Sequence, residues 1–70
     1  MIRLVKITGE SLMVAPPEVI VIEREGSVTR VILRGGREYL VTEMPEDILT
    51  QIDAWRRGVE REAPPEFAAG

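Results

Sequence analysis

The run Val19-Ile20-Val21-Ile22, apolar at every position, constrains the fold more than any other feature of the chain. A strand buried on one side alternates apolar and polar residues, because neighbouring side chains point to opposite faces. An uninterrupted run predicts a central strand, over Glu18 to Arg24, covered on both faces. Glu25-Gly26 then turns the chain, and Val28 to Arg34 runs back, rich in the β-branched residues that suit a pleated surface. Gly35-Gly36, between Arg34 and Arg37, predicts a two-residue type I′ turn, which needs positive φ at both positions. That turn sets Leu33 opposite Glu38, Ile32 opposite Tyr39, Val31 opposite Leu40 and Arg30 opposite Val41. Val31, Leu33 and Leu40 then share one face, and Ile32, Tyr39 and Val41 the other.

Upstream, Ile2 to Ile7 predicts a first strand, with Ile2, Leu4 and Lys6 on one face and Arg3, Val5 and Ile7 on the other. Thr8-Gly9-Glu10 turns it into a second strand, Ser11 to Val14, which Ala15-Pro16-Pro17 ends because proline gives no N–H to a ladder. Downstream, Pro45 suits the first position of a helix, Glu46 and Asp47 complement the positive end of its dipole, and Gly58 is placed to end it. Ile48, Ile52, Trp55 and Val59, with Leu49 beside them, form one apolar stripe over a helix at about 45–58. Asp53 reaches Arg57 one turn on. Residues 60–70, with Pro64-Pro65, read as a loosely held tail in which Phe67 is a candidate docking anchor.

The expected architecture is α+β: a single domain over residues 1–59, with a five-stranded, mainly antiparallel sheet or small open barrel and one C-terminal helix. One helix covers one face of a sheet. The other must be closed by curling the sheet or by a second subunit, and the candidate protein interface is the face bearing Val19, Val21, Ile32 and Tyr39.

Composition narrows the chemistry. Among 70 residues there is no cysteine and no histidine, which removes zinc fingers, iron–sulfur clusters, a thiol nucleophile and an imidazole base. The chain is expected to be no enzyme and to need no cofactor or metal. Domains of this size lean on disulfides, metals or oligomerisation, so homo-oligomerisation or entry into a larger assembly is the expected support. The opening Met-Ile-Arg-Leu-Val-Lys is too charged for a signal peptide, and no apolar run approaches the ~20 residues that span a bilayer. A cytoplasmic protein without membrane insertion is expected.

The net charge is −3. A dedicated nucleic-acid binder usually carries a basic surplus, so nucleic acid is the less favoured partner. Lys6, Arg24, Arg30, Arg34 and Arg37 are the residues that would contact an anion or RNA, and Arg34 is expected to face Arg37 across the Gly-Gly turn. Their plainer reading is a solvated, charged sheet edge. Glu23 with Glu25, and Glu43 with Glu46 and Asp47, have the spacing of strand ends and a first helical turn. Neither group needs acid–base or cation chemistry to explain it. Gly35-Gly36 joins two strands and lacks the frame of a phosphate loop.

Met1-Ile2 with Leu4, Thr8-Gly9-Glu10, Val14-Ala15-Pro16, Ile22-Glu23, Thr29 with Val31-Ile32-Leu33, Gly36-Arg37, Tyr39 with Val41, and Glu43 together resemble the FlbD (also SwrD) family of small flagellar and swarming-motility proteins. The likeness runs over about residues 1–57 and lies in the order and spacing of short motifs. Thr8 and Ala15 stand where that family has Asn, and Glu25 to Thr29 is one residue longer than its Pro-Asp-Thr segment. The resemblance implies an accessory or structural component of a bacterial assembly, in flagellar motility. The same physics would serve a small component of a virus particle. Gly9 to Val14 is also similar to the opening hairpin of the carbon storage regulator CsrA, an RNA-binding dimer. That likeness ends at residue 14 and makes an RNA-binding regulator the second reading. The block from Val21 to Val41 is similar to part of LytTR DNA-binding domains, for which this chain is too short and too acidic.

Overall fold

The computed structural model describes residues 1–61, with side chains to Gly58. Its order is β1 (Ile2–Val5), β2 (Ser11–Val14), a 3-10 turn (Pro16–Glu18), β3 (Val19–Glu25), β4 (Val28–Leu33), β5 (Glu38–Val41) and α1 (Pro45–Arg61). The class is α+β as expected, but the five strands form two antiparallel sheets, β1-β2 and β3-β4-β5, rather than one. A bridge from Lys6 to Val41 joins them, flanked by the Ile7 amide donating to the Leu40 carbonyl at 3.1 Å and the Thr42 amide to the Val5 carbonyl at 2.8 Å.

Two hairpins share one turn chemistry. In the first, the Gly9 amide donates to the Lys6 carbonyl and the Lys6 amide to the Glu10 carbonyl, both at 2.8 Å. In the second, the Gly36 amide donates to the Leu33 carbonyl at 3.0 Å and the Leu33 amide to the Arg37 carbonyl at 2.7 Å. Each loop therefore has three residues, Ile7 to Gly9 and Arg34 to Gly36, and ends on a glycine with φ of 97° or 89°. This overturns the two-residue turn at Gly35-Gly36. Thr29 pairs with Val41, Arg30 with Leu40, Val31 with Tyr39 and Ile32 with Glu38, one residue off the expected register. Because side chains alternate, that single step moves Tyr39 and Val41 onto the face of Val31, and sends Leu40 to the opposite face with Ile32. Arg34 does not face Arg37; it lies in the loop, and Leu33 takes the place opposite Arg37.

β3 is an edge strand, and β4 is the central one. The apolar run that predicts a central strand has another cause: the β3-β4 ladder shifts register between Val19 and Val21. The extra residue at this bulge is Ile20, 59% exposed. Val19, opposite Leu33, and Ile22, opposite Val31, face the core, whereas Val21, opposite Ile32, faces away.

The core is aliphatic. Leu4, Val31, Val41 and Ile48 are fully buried, Ile2 and Val14 nearly so, and Trp55, Ile52, Tyr39 and Leu33 pack around them. Burying a side chain of the size of Ile48 contributes about 1.5–3 kcal/mol, so α1 is fixed mainly by its apolar stripe. Pro45 begins the helix as expected, and Asp53 pairs with Arg57. Gly58 does not end it: the helix continues to Arg61, and Gly58 is absent from the glycines with positive φ. The tail reading of Glu60 to Gly70, with Phe67, falls beyond the described side chains.

Candidate protein-contact face

The helix packs on the face of the β3-β4-β5 sheet that carries Ile22, Val31, Tyr39 and Val41. The opposite face is built from the alternate residues. Register gives one row across the strands from Glu23 through Arg30 and Leu40 to Ile7, and a second from Val21 through Ile32 to Glu38. Ile7 joins because the Lys6–Val41 bridge sets it across from Leu40. Cross-strand partners lie about 5 Å apart and their diagonal neighbours are still within side-chain reach. Ile7, Leu40, Ile32 and Val21 therefore make an oblique apolar stripe over four strand segments. Ile7 is 51% and Leu40 37% exposed, while Val21 and Ile32 are half-buried.

Only two of the four residues expected at the interface lie on this stripe. Val21 and Ile32 pair directly, but Val19 and Tyr39 turn to the core side, Val19 because of the bulge and Tyr39 because of the one-residue register step. Leu40 and Ile7 take their places. Recognising that Thr8-Gly9 and Gly35-Gly36 both close three-residue loops would have found them, because the parity of each strand follows from its turn.

The basic residues do not converge. Arg30 pairs with Glu25, Nη2 to Oε1 at 2.6 Å, and approaches Glu38 at 3.9 Å. Arg34 donates its backbone amide to the Glu18 carbonyl at 2.7 Å, and its Nε lies 3.9 Å from the Glu18 carboxylate. Arg24 donates from Nε to the Gly26 carbonyl at 3.0 Å, and the Lys6 ammonium sits 5.3 Å from the centre of the Tyr39 ring. Arg37 is exposed in the segment that leaves the β4-β5 loop. Of the two carboxylate groups, Glu23 and Glu25 stay on one side of β3, two residues apart, and the other separates. Glu43 points its side chain to the Val5 amide, with Oε1 and Oε2 accepting at 3.0 and 3.1 Å, so it is a structural clasp rather than one of an acidic set with Glu46 and Asp47. Among the described residues no three His, Cys, Asp or Glu side chains gather as a cation site, and no helix is long and apolar enough to cross a membrane.

A concavity of about 380 Å³ lies between α1 and β3, lined by Val19, Ile20, Ile22, Leu49 and Ile52 with Arg56.

The family model described as FlbD, flagellar and swarming motility proteins, matches residues 1–60. The chain belongs to the FlbD family. The FlbD match takes in all five strands and nearly the whole helix, so the apolar stripe lies entirely inside it. Three residues that carry the resemblance have distinct structural tasks in this FlbD chain: Gly9 and Gly36 close the two hairpin loops, and Glu43 ties β1 to the segment before α1. No curated protein and no solved structure matches the chain.

Proposed function

We propose that this FlbD protein acts in flagellar or swarming motility by protein–protein contact, as a non-enzymatic accessory or structural component that docks through Ile7, Leu40, Ile32 and Val21. The observation that carries this reading is the apolar stripe on the sheet face away from the helix. A small domain that leaves such a stripe open to water gains by covering it with another polypeptide. The internal pairing of Arg30 and Arg34 favours this reading over RNA contact, since those guanidinium groups would have to leave their carboxylates to meet phosphate. The test is complementation of a deletion strain. Leu40→Asp and Ile7→Asp change exposed positions, so the protein should accumulate and melt as wild type does while swarming is lost. Normal swarming by both variants overturns the proposal.

A further inference from the structure

We infer that the partner of this face is a polypeptide segment whose apolar side chains are flanked by Lys or Arg, and not a second copy of the chain. The inference rests on the docking reading above and adds the partner's charge. Beside the stripe, register places Glu23 and Arg30 in the row of Leu40, Glu38 in the row of Ile32 and Val21, and Glu25 opposite Val28 where β3 turns into β4. Three carboxylates against one guanidinium leave this surface at −2.

The one cation is already engaged. Arg30 reaches Glu25 at 2.6 Å and Glu38 at 3.9 Å, so its charge is spent inside the rim. The other described cations of the strands lie outside this rim: Arg24 alternates to the opposite side, paired with Thr29, Arg34 is tied to Glu18, Lys6 lies over Tyr39, Arg37 precedes β5 on the parity of Tyr39, and Arg3, four residues along the chain from Ile7 in the β1-β2 sheet, donates from Nε to the Ser11 hydroxyl at 3.2 Å. Glu23, Glu25 and Glu38 are all exposed, and Glu25 and Glu38 share the one guanidinium of Arg30, so the rim keeps a negative excess facing solvent. Bringing two such faces together would set like charges around a drying apolar strip, which opposes self-association. A basic-flanked segment meets the same rim with attraction and is steered to it.

Two amphipathic peptides of equal length and apolar content, one carrying Lys and one Glu at its polar positions, serve as probes against the isotope-labelled full chain. The Lys peptide should shift the amide resonances of Val21, Ile32 and Leu40, and the Glu peptide should not. Raising salt from about 20 to about 500 mM should weaken the Lys peptide by about tenfold or more, because the rim is solvent-exposed. Glu23→Lys with Glu38→Lys should exchange the preference, and Glu23→Gln with Glu38→Gln should abolish it while keeping the fold. The unmodified chain should sediment as a monomer. Equal binding of the two peptides, preference for the Glu peptide, binding by neither, or a wild-type dimer built on these resonances overturns the inference. If Leu40→Asp stops swarming while the charge variants leave it intact and the Lys peptide does not bind, docking stands and the charge inference falls.

Discussion

The Glu43 carboxylate accepts the Val5 backbone amide through both oxygens, at 3.0 and 3.1 Å, while the Glu43 carbonyl accepts the Thr29 hydroxyl at 2.5 Å. One residue thus joins β1, β4 and the start of α1, and the two sheets meet where it sits. Glu43→Ala leaves the Val5 amide without its ionised acceptor. It is expected to lower stability by about 1.5–3 kcal/mol, the range for hydrogen bonds to charged groups. For a chain of this size that is a fall in Tm of roughly 4–8 °C per kcal/mol, checked by thermal and urea unfolding. Glu43→Gln, which keeps one acceptor, should lose less.

Thr29 is fully buried and its hydroxyl has a single role. Thr29→Val preserves shape but strands the Glu43 carbonyl, and a loss of about 1–3 kcal/mol is expected. Because Thr29 bonds the Glu43 backbone carbonyl and Val5 bonds its carboxylate, Glu43→Ala leaves the Thr29 acceptor in place, and the two losses should add within about 0.5 kcal/mol in a double-mutant cycle in urea.

Glycine substitutions should divide by backbone angle. Gly36 has φ of 89°, a region that L side chains rarely adopt, so Gly36→Ala is strained although no atom lies within 4 Å of the new Cβ. Gly58 lies inside α1 with equally open space around it. Gly58→Ala should therefore stabilise by about 0.5–1 kcal/mol, and Gly36→Ala should destabilise by about as much or more. Opposite shifts in Tm are the result that checks both.

Among the described residues of α1, Ile48 alone has no exposed surface. Ile48→Ala removes its packing against the strands and is expected to cost about 2–5 kcal/mol, enough to leave a large unfolded fraction in so small a domain. Circular dichroism with denaturant titration gives the value. Leu49→Ala, more than half exposed on the same helix, should cost far less.

Much of this architecture was legible in local chemistry. Pro45, the acidic first turn and the spacing of Ile48, Ile52 and Trp55 specify the helix, and the prolines after Val14 stop β2. Residue type did not convey turn length. Gly35-Gly36 suits a two-residue loop as well as the three-residue loop that forms, and the difference of one residue exchanges the faces of β5. The bulge at Ile20 was hidden for a related reason: an apolar run is the same whether both faces are covered or an extra residue resets the alternation. Those two steps misplaced Val19 and Tyr39 and concealed Leu40 and Ile7. The end of the helix is not legible from residue type, because Gly58 has the right identity for a cap but takes no positive φ and the helix runs on to Arg61. Glu43 lay in plain view in the Val41-Thr42-Glu43 motif, yet its partner is 38 residues away and only tertiary structure brings them together.

The irregular step at Ile20 bears on how such a molecule survives crowding. β3 offers one flank of unpaired main-chain groups, and a straight ribbon there would invite end-on recruitment of further chains into fibrils. The interrupted ladder, followed by Glu23-Arg24-Glu25, spoils that template, so crowded molecules are kept from pairing edge to edge.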